Sequence, residues 1–300
     1  MRLFKLGVVS WRLIFALAFA ACITACTEQK AGIYEPTVLR IGVLPNENEA
    51  VLIKQFSPLG NYLAAQLGRP YELVVPGDYA DFVDRFARGD FDLGYFGGVT
   101  FLQAQQRSDA KPLVMRDIDA RLSTYFLVRG DSAIREWDQM AGKSFSFGSS
   151  LSTSGHLMPR FFLRERGIDP ESFFSDVRFS GAHDKTATWV TEGVVDIGAA
   201  NSHIVDEMLK DGRLDSAQVN ILWETPPYAG YVWAVNADID RSFQEDLRNS
   251  FLALSPVNPE HKIILDALNA GGFLPASPED FTSLPDIARS LGLLDSEGSQ

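Results

Sequence analysis

The segment Lys143–Pro159, KSFSFGSSLSTSGHLMP, gathers small hydroxyl side chains at one point of the chain. Phe145 and Phe147 alternate with serines as in a strand that ends at Gly148. A serine-rich turn follows, and Ser152, Thr153, Ser154 and Gly155 open a segment, His156–Arg166, that reads as a helix. Strand, hydroxyl-rich loop and helix start together turn free backbone N–H groups, hydroxyls and the positive end of a helix dipole toward an anion. Oxygen-rich ligands such as phosphate or phosphonate fit such a site without any lysine. Ser and Thr are equally ordinary N-caps, so this stretch alone leaves plain capping and anion binding both open.

Other chemistries use the candidate residues less well. Ser152 or Ser154 with His183 and Asp196 has the composition of a nucleophile triad. No G-x-S-x-G elbow surrounds either serine, however, and serines at a helix start are explained by binding, so an enzyme is not expected. The histidines His156, His183, His203 and His261 have neither H-x-x-x-H nor H-E-x-x-H spacing, so neither a metal nor a cofactor is implied. Tyr79, Tyr95, Trp189 and Trp233 have the composition of an aromatic cage for a quaternary amine. Core packing is the plainer account of both tryptophans, and a cage leaves Ser152–Gly155 unused.

The elements that must position these residues follow a regular grammar. Val38–Leu44 is a β-rich run ending in the loop Pro45–Glu49, and Ala50–Leu67 has apolar residues at helical spacing up to Gly68. Tyr71–Val75 is a strand with the exit loop Pro76–Tyr79, and Ala80–Arg88 is helical. Gly89–Gly98 then gives a turn, a short buried strand and a glycine turn before a helix at Val99–Arg107. This order predicts a parallel sheet with helices on both faces. Lys111–Asp117 and Thr124–Arg129 are further strands, and Ile134–Met140 reads as a helix. From Phe145 the same grammar restarts, with strands at Val177–Phe179 and Val195–Ala199, helices at Asp184–Glu192 and Ile204–Asp211, and strands at Asn220–Trp223 and Tyr231–Val235. The remainder, at 241–254, 259–269 and 285–291, is mainly helical. Gly89–Gly94 (GDFDLG) and Gly193–Gly198 (GVVDIG) echo each other, as two similar α/β lobes would. The expected fold is therefore α/β and two-lobed, with the ligand in the crevice at the carboxyl ends of the strands.

The first residues do not belong to that core. Arg2, Lys5 and Arg12 precede an apolar run, Leu13–Ile23, and Ile23-Thr24-Ala25-Cys26 is followed at once by polar residues. This is the layout of a secretory signal, too short and wrongly flanked for a permanent membrane span. The small residues before Cys26 resemble a bacterial lipobox, in which the cysteine becomes the lipidated first residue; Cys22 is the poorer candidate. An ordinary secretory signal with an incidental cysteine is the alternative. Cleavage before Cys26 would leave one cysteine, hence no disulfide and no thiolate metal site. It would also remove three basic residues and leave 24 against 39 acidic ones, a formal charge of −15 in place of −12. So acidic a surface argues against nucleic acid and against electrostatic binding to anionic lipid. Any anionic ligand must then be held by local dipoles, against the overall field.

With these residues in view, the chain resembles the phosphonate-, phosphite- and phosphate-binding proteins of ABC transporters, which belong to the type II periplasmic binding proteins. The resemblance runs from Val38 to about Phe273 and is carried by Asp78-Tyr79-Ala80, by Asp92–Gly97 (DLGYFG), by Ser152–Gly155 followed by Pro159, and by Gly181–Asp184 (GAHD) with Gly193–Asp196. It implies that Ser152, Thr153, Ser154 and the Gly155 amide grip an oxyanion through charge-assisted hydrogen bonds, with Tyr79 reaching across from the other lobe. His183 would sit at the phosphorus group, where a neighbouring oxyanion raises its pKa. Tyr95 then Phe96 stands where aminoalkylphosphonate binders have Trp then Tyr, which removes or displaces one phenolic donor. His203 and Tyr231 stand where those proteins hold an amine with acidic side chains; without carboxylates a buried ammonium would be unpaired, so phosphite, phosphate or a short alkylphosphonate is the better expectation. The resemblance further implies hinge closure, a monomer, and delivery to an ABC permease, with reporting to a membrane sensor kinase as the alternative. The expected layout is a signal peptide at 1–25, a lipidated tether at 26–37 on the periplasmic or extracytoplasmic face, one lobe at 38–123 and 236–300, and the other at 124–235 including the hinge strands.

Overall fold

The alternation of short apolar runs with helical segments resolves into two separate sheets in a computed structural model that describes residues 34–294. The expected signal peptide at 1–25 and Cys26 lie outside the described residues. The first half supplies β1 (Leu39–Val43), α1 (Glu49–Leu67), β2 (Tyr71–Val74), α2 (Tyr79–Ala87), β3 (Leu93–Gly97), α3 (Gly98–Ser108), β4 (Lys111–Arg116) and β5 (Thr124–Arg129). The second supplies β6 (Ser144–Phe147), α4 (Met158–Glu165), the single turn α5 (Pro170–Phe173), β7 (Asp176–Phe179), α6 (His183–Thr191), β8 (Ile197–Asn201), α7 (Ser202–Asp211) and β9 (Val219–Glu224). The chain closes with β10 (Tyr231–Val235), α8 (Arg241–Leu252), α9 (Pro259–Ala267), β11 (Phe273–Pro275) and α10 (Leu284–Ser290).

One lobe is built on the six-stranded sheet β11-β4-β10-β3-β1-β2 and the other on the five-stranded sheet β7-β6-β8-β5-β9. Each is mixed rather than purely parallel. β10 runs antiparallel to β3 and β4, and β5 antiparallel to β8 and β9. β11 also runs antiparallel to β4, while β10 and β5 each border a crossing, where the chain enters a sheet against its parallel set. Tyr231–Val235, grouped above with the second lobe, therefore belongs to the six-stranded sheet, and all its residues are buried there. The chain passes between the sheets at 117–123 and 225–230. Leu122 and Tyr228 bond to each other there as an isolated antiparallel bridge, with both N–H···O distances 2.9 Å.

Burial follows the two-sided pattern of a covered sheet. On β5, Phe126 and Val128 join one apolar cluster with Phe145 and Phe147, while Leu127 joins another with Val190 and Val205. Two local expectations change. Ile134–Met140 is only a short 3-10 turn at Trp137–Met140, closed by a reciprocal cap between Glu136 and Gln139. Residues 34–37, expected as part of a tether, are fastened to the six-stranded lobe: the Tyr34 phenol donates to Asp92, and Tyr34 pairs with Ile239.

Candidate functional site

Ser152 is the N-cap of the helix that follows β6, and its hydroxyl accepts from the Gly155 amide at 2.9 Å. The helix begins with a π-turn, Thr153–Leu157, in which the Leu157 amide bonds back to the Ser152 carbonyl at 3.0 Å. The wide turn throws Ser152, Thr153 and Ser154 inward, and π-turns of this kind recur at functional positions. All three are buried. Gly155 is required by space, since a Cβ there would lie 2.9 Å from the His183 ring and 3.0 Å from Ser152 Oγ. Its amide, expected to face an oxyanion, is occupied by Ser152. The amides of Thr153 and Ser154 are then those that a helix start leaves without an internal partner.

His183 opens α6 with its ring completely buried. The Asn201 amide donates to Nδ1 at 3.2 Å, which fixes the proton on Nε2. That N–H faces three hydroxyl oxygens, Ser152 Oγ and Ser154 Oγ at 3.4 Å each and Tyr231 at 3.5 Å, all long contacts that a ligand oxygen could replace. Burial pushes the His183 pKa down to about 3, so the imidazole is a neutral donor at physiological pH. The rise expected beside an oxyanion has to overcome this burial.

From the six-stranded lobe, Tyr79 sits at the first turn of α2 behind the N-cap Asp78. Its hydroxyl is buried without a hydrogen bond of ordinary geometry, and Ser152, close enough for only a poorly formed one, works weakly against the effect of burial. Burial raises the Tyr79 pKa, so the phenol keeps its proton as a donor. Tyr79, Ser152, Thr153, Ser154 and Tyr231 line one small, tightly closed chamber between the lobes. Thr153 also bridges the lobes, its Oγ1 accepting from the Val99 amide at the start of α3 at 2.9 Å.

Tyr231 separates this chamber from a second with a cavity of about 20 Å³, lined by Tyr95, His203, Asn46, Glu47 and Glu207 among others. Its hydroxyl accepts from Asn46 Nδ2 at 2.9 Å and Asn201 Nδ2 at 3.4 Å, and its ring stacks on Tyr95 with centroids 5.0 Å apart. Tyr95 donates to Asp119, which is held by Arg116 in a buried ion pair. His203 donates to the Ile118 carbonyl at 3.2 Å. Tyr95 and His203 thus stand behind Tyr231 and away from the serines.

Phe96 is not part of the site. Successive strand residues face opposite sides of a sheet, so when Tyr95 turns toward Tyr231, Phe96 turns into the core against Phe82, Phe86 and Phe101. The expected lack of carboxylates near His203 and Tyr231 is also corrected, since Glu47 and Glu207 border the same chamber. Glu47 lies far away in sequence on the β1 exit loop, whereas Glu207 is four residues after His203 on α7, a helical spacing that places both on one face. Asn46 and Asn201 were missed too, although both follow the carboxyl end of a strand, where binding loops lie. The aromatic cage is not assembled: Trp233 is in the core against Phe56 and Phe251, and Trp189 packs under Lys185. Among the described residues no group of His, Cys, Asp or Glu is arranged to hold a metal ion.

Two mixed α/β lobes joined by paired crossings, with polar loops converging between them, define a periplasmic binding protein fold. Residues 41–281 match the family described as ABC transporter, phosphonate, periplasmic substrate-binding protein, and the chain belongs to that family. This is a family of substrate-binding transport proteins rather than enzymes. The chain is 32% identical over 268 residues, covering 85% of it and 90% of the relative, to the probable ABC transporter phosphite binding protein PhnD1 of Prochlorococcus marinus (strain MIT 9301). It is 30% identical over 229 residues, 72% of this chain and 71% of the relative, to the phosphate-import protein PhnD of Mycolicibacterium smegmatis. The solved structure of that PhnD1 in complex with methylphosphonate superposes with a TM-score of 0.83, covering 87% of this chain and 100% of the other at 30% identity.

Proposed function

We propose that this protein captures phosphite, phosphate or a short alkylphosphonate between its lobes and delivers it to an ABC permease. The observation that carries the reading is a set of uncommitted donors around one small chamber: the Ser152 and Ser154 hydroxyls beside His183 Nε2–H, faced by the partnerless Tyr79 phenol. A buried donor without a partner is costly, and a tetrahedral oxyanion would satisfy several at once. Tyr79, Ser152, Thr153, Ser154, His183 and Tyr231 are the proposed contacts, while Tyr95 and His203 support Tyr231 and Gly155 permits close packing. The preference for a small ligand now rests on how closely Tyr79, Ser152, Thr153, Ser154 and Tyr231 close on one another and on the Tyr231 partition, not on a lack of carboxylates. The relatives, one described as a probable phosphite binding protein and one as a phosphate-import protein, and the PhnD1 complex with methylphosphonate support the same class. In this reading residues 1–25 are removed, Cys26 is lipidated, and the protein works as a monomer held at the membrane surface, with residues 117–123 and 225–230 as the hinge.

A thermal-shift screen of phosphate, phosphite, methylphosphonate, aminoethylphosphonate, sulfate and choline tests the reading. One of the first three should stabilise the protein; stabilisation by choline alone would sink it. Ser154→Ala removes a hydroxyl whose side-chain contact is the long one to His183. It should weaken binding roughly ten- to a hundredfold, the loss of one charge-assisted hydrogen bond, while the ligand-free melting temperature stays nearly unchanged.

A further inference from the structure

A second set of contacts, apart from the serine cradle, closes the cleft. The exit loop of β1 offers three successive residues to the five-stranded lobe, and each meets a different partner. The Asn46 carbonyl accepts from the His183 amide at 3.0 Å, Glu47 Oε2 accepts from Arg213 Nη1 at 3.0 Å, and the Asn48 amide donates to Asp184 Oδ2 at 2.9 Å. Asp211 orients Arg213 by accepting from its Nε at 2.7 Å. The Glu47 side chain is only 2% exposed and that of Arg213 27%. These partners lie on opposite lobes, so opening the cleft would return Glu47 to water.

We propose that Glu47 and Arg213, neither of which lines the chamber of the serine cradle, set the affinity of this protein by fixing what lobe closure costs. The inference rests on the reading that ligand is held in the closed cleft. Drying a carboxylate is expensive, and an ion pair offsets that cost only in part. Around Glu47 stand its partner Arg213, two further acids, Glu207 from α7 and Asp184 from α6, and the neutral Gln55 of α1, which reaches Glu207 at 3.5 Å; His203 of α7 and Arg116, itself paired with Asp119, line the same chamber. Burial outweighs the pairing and pushes the Glu47 carboxyl up to about 7 from its ordinary 4.5. Protonated Glu47 therefore fits the closed form better than the ionised group does. Closure takes up a proton between the ordinary carboxyl range and about pH 7, and affinity falls as pH rises through that window. Arg213 limits the penalty once Glu47 is charged.

The test titrates phosphite, phosphate and methylphosphonate into wild type, Arg213→Ala and Glu47→Gln at about pH 5 and about pH 7.5, with melting temperature as the control for folding. Arg213→Ala pushes the Glu47 carboxyl higher still, so closure must take up a whole proton at the higher pH, and Kd should rise there severalfold with little change at the lower pH. Glu47→Gln should bind as tightly as wild type or tighter there, and the ratio of its Kd to that of wild type should change between the two pH values. The titration of the ligand itself cancels in that ratio. Equal Kd in all three proteins at both pH values overturns the proposal. If wild type binds none of the three anions, it is the ligand reading that fails. The closure cost is then read without ligand, from the distance between fluorophores placed one on each lobe. Wild type should close as pH falls and Glu47→Gln should not follow; a distance independent of pH in both overturns the proposal.

Discussion

The two lobes are built on one plan and meet the cleft with different chemistry. In each, an aspartate just before a buried strand ties down the start of the neighbouring parallel strand. Asp92, before β3, accepts from the Arg40 amide at 2.7 Å and from the Arg40 guanidinium and Tyr34 phenol. Asp196, before β8, accepts from the Ser144 amide at 2.9 Å and the Ser144 hydroxyl at 2.7 Å. At the exit the lobes diverge. β3 runs through Gly97 into α3, which has no side-chain cap of its own, and its Val99 amide is taken by Thr153 of the other lobe. β8 ends in Asn201, which caps α7 itself and also turns its carboxamide to Tyr231. The shared unit supplies stiffness, whereas the few residues after each strand decide what the cleft can bind. A helix start left uncapped in one lobe becomes the place where the other lobe docks.

The largest expected effect separates framework from site within the six-stranded lobe. Phe96→Ala empties a fully buried aromatic position and should cost about 3–5 kcal/mol of stability in a denaturant titration. Tyr79→Phe removes a buried hydroxyl that bonds nothing, so stability should change by less than about 1 kcal/mol while oxyanion affinity falls. A comparable stability loss in both would break the distinction between core and site.

Next in size is the contrast between the two strand-entry aspartates. Asp92→Asn disturbs a carboxylate fully buried between Arg40 and Tyr34 and should cost about 2 kcal/mol. Asp196→Asn, on a more exposed carboxylate, should cost under about 1 kcal/mol. Hydrogen bonds from Ser144 and nearby cations hold the Asp196 carboxyl below its usual range against the effect of burial. Its contribution is therefore present above the ordinary carboxyl pKa and is lost as pH falls through the depressed value.

The smallest expected effect is a difference in slope. Among the described residues the buried histidines, His156 and His183, both belong to the five-stranded lobe. Burial holds the His156 ring down to about 4, with Arg160 donating to its Nε2 at 2.9 Å. The unfolded chain takes up this proton near 6.5 and the folded chain only near 4, so stability should fall as pH drops between them. Melting temperature followed over that window should decline less steeply in His156→Gln than in wild type. Hydrogen exchange should also show the five-stranded lobe loosening first in acid; loosening of the other lobe first would contradict the comparison.

Much of this was legible in the chain because it is local. The 3.6- and 2-residue periodicities mark α1 and β6, the small residues 152–155 mark a helix start, and the paired Gly89–Gly94 and Gly193–Gly198 segments announce two similar lobes. The misses have both local and non-local causes. The Ile134–Met140 pattern gave too long a helix because the cap between Glu136 and Gln139 closes a single turn. Phe96 enters as a site residue through the resemblance, at the position of a phenolic donor in aminoalkylphosphonate binders, and the strand's alternate facing sends it to the core. The segments taken as hinge strands lie inside the two sheets, with the crossings just outside them.

Sequence by itself determined the α/β elements, the hydroxyl-rich helix start and the acidic surface, since each depends on neighbours along the chain. Tertiary structure alone decided that His183 keeps its proton on Nε2, that Tyr79 has no partner and that Glu47 loses water against Arg213. Those properties come from groups distant in sequence, brought together in a dry space where one hydrogen bond or one charge changes what each can do.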